Sequence, residues 1–72
     1  MNVRLLVHVD ESLGPIDRAR AERHLKLAEG VAEAEFNRDH LMMVQYDPVS
    51  TRAAEIVGGL RRLGYHAQAV GL

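Results

Sequence analysis

The chain has 72 residues, of which 47% are hydrophobic and 26% are charged, with a formal net charge of -1 and no cysteine. A chain of this length can bury one small core, so we expect a single domain spanning residues 1–72. The balanced charge argues against a nucleic-acid or anionic membrane partner, and the lack of cysteine excludes disulfides and thiolate metal sites. We find neither a signal peptide nor an apolar run of the roughly 18 residues that a membrane span needs, and therefore expect a cytoplasmic protein.

The first part of the chain has the pattern of a strand followed by a helix. Residues 3–9 place valine or leucine at every second position, which is typical of a strand. Pro15 favours a helix start, because its missing N–H would have no partner in the first turn. Helix-forming residues continue to Glu29, and Gly30 predicts the end of that helix.

A hairpin is predicted next. Residues 31–37 and 40–46 read as two short strands, and Arg38 and Asp39 lie between them as a turn. Pro48 cannot continue a paired strand, so the second of these strands should end before it.

The last third of the chain predicts a helix and a fourth strand. Ser50 is a candidate N-cap for a helix that runs to about residue 63, Gly64 should end it, and residues 65–70 should form the strand. Gly58 and Gly59 are unfavourable inside this helix, and we expect them to let it lie close to the sheet. The order βαββαβ predicts an α+β, ferredoxin-like fold, with a four-stranded antiparallel sheet in the order 4-1-3-2 and two helices on one face.

Four short motifs together resemble the heavy-metal-associated domain, the module of copper chaperones, across nearly the whole chain. They are a Gly-Val pair after the first helix, a V-x-Y-D-P run after the third strand, an apolar stripe in the second helix and a Gly-Tyr pair before the last strand, at residues 30–31, 44–48, 56–63 and 64–65. The resemblance implies a non-enzymatic module that docks onto like domains of transport ATPases and onto other target proteins.

In the metal loop of that family, M-x-C-x-x-C, the two metal-binding cysteines align with Gly14 and Asp17, and the buried methionine before them aligns with Ser12, so none of the three is retained. Cu(I) prefers soft thiolate and thioether ligands, and we therefore expect no cofactor at this loop and no tight Cu(I) binding. Tyr65 matches a residue that lies beside the metal loop in bacterial members of the family.

Histidine offers an alternative metal chemistry. His8 and His66 should both lie on the open face of the sheet near the loop, together with Asp10, and imidazole suits a weakly bound Zn(II), Ni(II) or Cu(II) ion. The competing interpretation is two solvated or partner-facing histidines, because three ligands do not complete a zinc site. His24 and His40 have no partner in the pattern.

The open face of the predicted sheet carries apolar side chains, which are Leu6, Leu41, Met43 and Val70. A contiguous apolar patch often marks a surface for a protein partner or for self-association, although single exposed apolar residues are normal. Met42 should lie in the core, because adjacent strand residues point to opposite faces. Three interpretations stay open: a docking or regulatory partner in metal handling, a divalent metal binder that uses His8, His66 and Asp10, and a metal-independent interaction module.

Overall fold

The computed structural model describes residues 1–70, and it has the predicted element order. The elements are β1 (Val3–Val9), α1 (Pro15–Lys26), β2 (Val31–Arg38), β3 (Leu41–Tyr46), α2 (Ala53–Arg62) and β4 (Ala67–Ala69). All strand pairs are antiparallel, and the strands lie in the order β2-β3-β1-β4. This is the predicted order 4-1-3-2 read from the opposite edge, so the ferredoxin-like fold is confirmed.

The core lies between the helices and the inner face of the sheet. The alternation in β1 buries Val7 and Val9 completely, and the two central strands bring Met42 and Val44 to the same layer. The helices cover this layer with one apolar stripe each. The buried set consists of Val7, Val9, Ala21, Leu25, Ala34, Met42, Val44, Ile56, Val57, Leu60 and Ala67.

Both helices are shorter than the sequence predicts. The first ends at Lys26 instead of Glu29, since the chain tightens into turns before Gly30, which has a φ of 85°. The second has Arg52 as its N-cap, so the prediction for Ser50 is wrong. The Ser50 hydroxyl donates instead to Asp47, at 3.1 Å from its Oδ2 atom, within the turn that follows β3.

The hairpin turn and the last strand are also displaced from their predicted bounds. The turn lies at Asp39 and His40, one residue later than predicted, and His40 adopts a φ of 70°. Histidine is among the residues that are enriched in this left-handed region. The fourth strand begins at Ala67, because the backbone N–H of His66 donates to the Glu11 carboxylate.

We predicted that Gly58 and Gly59 let α2 lie close to the sheet. In the structure, the nearest neighbours of these glycines lie on the helices and not on the sheet. A Cβ atom at Gly59 would lie 3.7 Å from Leu25 and 3.8 Å from Nε2 of His24, both on α1. Gly59 therefore lies at the boundary between the two helices, whereas a Cβ atom at Gly58 would meet only Arg62 of α2 itself.

Candidate functional site

The loop between β1 and α1 contains the positions to which the resemblance assigns a metal loop. Ser12 and Gly14 are exposed, and Asp17 is half-buried in the first turn of α1. Gly14 has ordinary extended angles, φ -74° and ψ 175°, and a Cβ atom there would meet nothing within 4 Å. Neither conformation nor packing therefore requires glycine at this position. The side chains at these three positions do not fit Cu(I), because none of them provides sulfur.

Arg18 fixes the loop to the β2–β3 hairpin. Its Nε atom donates to the Leu13 carbonyl at 3.0 Å, and its guanidinium forms an ion pair with Asp39. The same guanidinium lies over the ring of Phe36, 5.8 Å from its centroid. One side chain thus connects the loop to two residues of the hairpin region without any metal.

Glu11 joins the other side of the loop to the start of β4. Its carboxylate accepts from the backbone N–H of His66 at 2.9 Å and lies 2.6 Å from the ring Nδ1 atom. This hydrogen bond to the side chain raises the pKa of His66 above its ordinary 6.5, and the same bond lowers the pKa of Glu11 below 4.5.

The Glu11–His66 pair should be observable in a pH titration. The raised pKa of His66 stabilises the folded state. This contribution to the free energy of unfolding is complete below about pH 6.5 and is lost as the pH rises through the pKa that His66 has in the folded protein. The lowered pKa of Glu11 also stabilises the folded state. Its contribution is complete above about pH 4.5 and is lost as the pH falls through the pKa that Glu11 has in the folded protein. Both contributions are present together between these values.

We expect Glu11→Gln to lower the pKa of His66 toward 6.5 in an NMR titration of the ring protons, because the charged acceptor is removed. Glu55→Gln, a change on α2 outside this contact, should leave that pKa unchanged. An unaltered His66 titration in Glu11→Gln would contradict the pairing.

His8 and His40 form a second cluster at the same end of the sheet. Their rings stack with centroids 5.7 Å apart and an interplanar angle of 17°. Nδ1 of His40 lies 2.9 Å from the Val9 carbonyl oxygen, and the backbone N–H of Val9 donates to the His40 carbonyl at 2.8 Å. The sequence pattern assigned His40 no partner, and this was wrong. The adjacency of strands 1 and 3 in the predicted sheet order was the signal that could have placed His40 beside β1.

The predicted metal ligands are distributed between two contacts. Nδ1 of His8 lies 3.2 Å from Oδ1 of Asp10. The His8 Nδ1 atom is buried, and its contact with Asp10 does not have hydrogen-bond geometry. His66 is engaged by Glu11, and His8 faces Gln68 across the β1–β4 pair. Among residues 1–70, no three His, Asp or Glu side chains are grouped so that they could hold a metal ion together. A site formed by His8, His66 and Asp10 stays a prediction.

The four predicted residues of the open face lie next to one another. Leu6 pairs with Met43 in the β1–β3 register, and the backbone N–H of Val70 donates to the Leu6 carbonyl at 2.9 Å. Leu41 is opposite His8 in the same register. Leu6 and Val70 expose 38% and 37% of their surface, whereas Met42 is fully buried on the other face. We call Leu6, Leu41, Met43 and Val70 the apolar patch.

Comparison with solved structures identifies the family. One solved structure is a copper form of a variant of CopA from Bacillus subtilis, and it is 31% identical to this chain. The match covers 93% of this chain and 90% of that one, with a TM-score of 0.78. The chain belongs to the heavy-metal-associated domain family. Tyr65, half-buried against the core in this heavy-metal-associated domain, lines a small hollow with Asp10 and His66.

Two further solved structures resemble this heavy-metal-associated domain. The N-terminal soluble domains of Bacillus subtilis CopA are 31% identical over 92% of this chain, with a TM-score of 0.84, and this chain spans 46% of the length of those solved domains. The copper chaperone of Enterococcus hirae is 22% identical over 92% of this chain and 98% of its own, with a TM-score of 0.80, which supports the fold alone. No protein-family model matches the chain, and no curated protein matches it. Within residues 1–70, no helix is long and apolar enough to cross a membrane.

Proposed function

We propose that this heavy-metal-associated domain is a non-enzymatic, cytoplasmic docking or regulatory partner in metal handling that does not itself carry Cu(I). The observation that supports this most directly is a complete family fold in which Ser12, Gly14 and Asp17 occupy the three sulfur positions of the loop. A chain selected to carry Cu(I) would keep soft ligands there.

The contacts of the loop support the same proposal. Arg18 bonds to the Leu13 carbonyl and pairs with Asp39, while Glu11 bonds to His66. These contacts connect the loop to the hairpin and to β4. The end of the domain can therefore keep a defined shape for a partner in the absence of an ion.

The surface that we assign to the partner is the apolar patch. Its side chains are contiguous in the sheet register, and Arg4 flanks them on β1. Glu33 and Glu35 lie on the neighbouring edge strand, in register with Gln45 and Met43. An apolar centre with a charged rim is the usual anatomy of a protein interface.

The test is a titration of the isotope-labelled domain with a cysteine-containing heavy-metal-associated domain of a copper-transporting ATPase, followed by NMR. We expect amide shifts that are concentrated in β1 and β3. Leu6→Lys should weaken binding about tenfold or more, because it places a charge in the centre of the patch. Leu27→Lys changes a leucine that is 77% exposed at the end of α1, and it should bind like the wild type.

Absence of binding to such domains would refute the metal-handling role and favour the metal-independent interaction module. Equal weakening by Leu6→Lys and Leu27→Lys would instead show that the contact surface lies elsewhere. Concentration-dependent self-association that Leu6→Lys abolishes would assign the patch to a second copy of this chain.

The second candidate function is a divalent metal site, and the buried, unbonded Nδ1 atom of His8 beside Asp10 favours it. Calorimetry with Zn(II), Ni(II) and Cu(II) at neutral pH tests this candidate. It predicts weak binding that His8→Ala combined with His66→Ala abolishes, while His24→Ala leaves it intact. No heat with any of the three ions would exclude this candidate and leave the docking proposal unaffected.

A further inference from the structure

A cleft separates the second half of α1 from the first half of α2, at the end of α1 that is distant from the Ser12–Asp17 loop. The cleft is open to solvent, and its volume is about 750 Å³. Val31 and Val49 give it accessible apolar surface, whereas Leu25 and Ile56, which also border it, are buried core residues.

Two side chains with nitrogen donors, Arg62 and His24, line this cleft next to Gly59. The guanidinium of Arg62 lies along the glycine pair, with Nη1 3.4 Å from the position of a Cβ atom at Gly58 and Nη2 3.9 Å from that position at Gly59. Nε2 of His24 lies 3.8 Å from the same point at Gly59. Within the described part of the chain, neither Arg62 nor His24 forms an ion pair.

We propose that this cleft binds a monocarboxylate with a short apolar tail. The carboxylate would accept hydrogen bonds from Arg62 and His24, since a guanidinium is a strong donor to carboxylates. The tail would lie against Val31 and Val49, the accessible apolar side chains of the cleft.

The charges around the cleft select a single negative charge. Arg52 also lines it, but so do Glu29 and Glu55, and these two carboxylates oppose a doubly charged ligand such as phosphate. This proposal does not depend on the docking function, because the cleft shares no residue with the apolar patch or with the loop.

The glycine pair gives a sharp test. Glycine is unfavourable inside a helix, and a Cβ atom at Gly59 would make only ordinary contacts at 3.7–3.9 Å. Gly59→Ala should therefore raise the Tm of the protein while it reduces ligand binding, because the methyl group occupies the point between Arg62 and His24. If Gly59 had a purely structural role, Gly59→Ala would change the Tm without reducing ligand binding.

The experiment is an NMR titration of the labelled protein with sodium hexanoate, hexan-1-ol and inorganic phosphate. We expect saturable shifts around Gly59 with hexanoate, and weaker binding of the alcohol and of phosphate. Arg62→Gln should weaken hexanoate binding about tenfold, because the charged donor is lost. Arg23→Gln, on an exposed part of α1, should not.

Three results would overturn the proposal. The first is no saturable shift with hexanoate, and the second is equal binding of hexanoate and hexan-1-ol, which would mean that the cations take no part. The third is phosphate binding as tight as or tighter than hexanoate, which would reject the monocarboxylate.

Discussion

Replacing Gly14 and Asp17 by cysteine is expected to give this protein a tight Cu(I) site. The extended backbone at residue 14 accepts a side chain, and a Cβ atom there has free space around it. Residue 17 lies in the first turn of α1, where the N-terminus of a helix lowers the pKa of a thiol and favours the thiolate. Among residues 1–70, the only ion pair of Asp17 is an exposed contact with Arg20 at 4.0 Å, and such surface pairs contribute at most about 1 kcal/mol to stability.

The matched control is Gly14→Ser combined with Asp17→Ser, which changes the same positions without adding sulfur. Competition with a Cu(I) chelator should show metal bound to the cysteine variant and none bound to the serine variant. The contradicting outcome is a cysteine variant that is folded and still loses Cu(I) to the chelator. It would show that the loop geometry has departed from that of the family, so that the missing cysteines alone do not explain why the wild type lacks a Cu(I) site.

Met42→Ala is expected to destabilise the fold by about 2–5 kcal/mol, the usual cost when a large buried side chain leaves a cavity. Met42 is completely buried among the core residues of the central strands. Since small domains are stable by only about 5–15 kcal/mol, this loss is a large part of the total.

Met43→Ala, one residue along β3, is the control. Its side chain is half-buried on the open face opposite Leu6, so its loss should cost clearly less free energy of unfolding than the loss of Met42. Urea unfolding of the two variants measures the difference. Equal destabilisation would contradict the assignment of the two methionines to opposite faces of the sheet.

The fold was predictable because its signals are local and repeated. The alternation around Val7 and Val9, the stripe at Ile56 and Leu60, and the stop at Gly64 each specify an element within a few residues. Packing then confirms them, since one inward face of each strand and one stripe of each helix form a single core. The order of these elements was enough to predict the sheet topology.

The element ends and the site contacts depend on residues that are distant in sequence. The start of β4 is set by the bond from His66 to Glu11, 55 residues away, and no local pattern contains this information. Similarly, Ser50 has the chemistry of an N-cap, but Asp47 competes for its hydroxyl. His40 acquires its stacking partner, His8, only when the strands pair.

Partition of Cu(I) between the wild-type domain and a Cu(I)-loaded, cysteine-containing heavy-metal-associated domain tests the central claim most directly. NMR of the labelled wild type would detect the complex, while metal analysis after separation would locate the copper. We predict shifts at the apolar patch and copper that remains with the cysteine-containing domain. Copper recovered in stoichiometric amount on the wild-type domain would contradict the account, because it would show a Cu(I) site that does not need the cysteine ligands missing from residues 14 and 17.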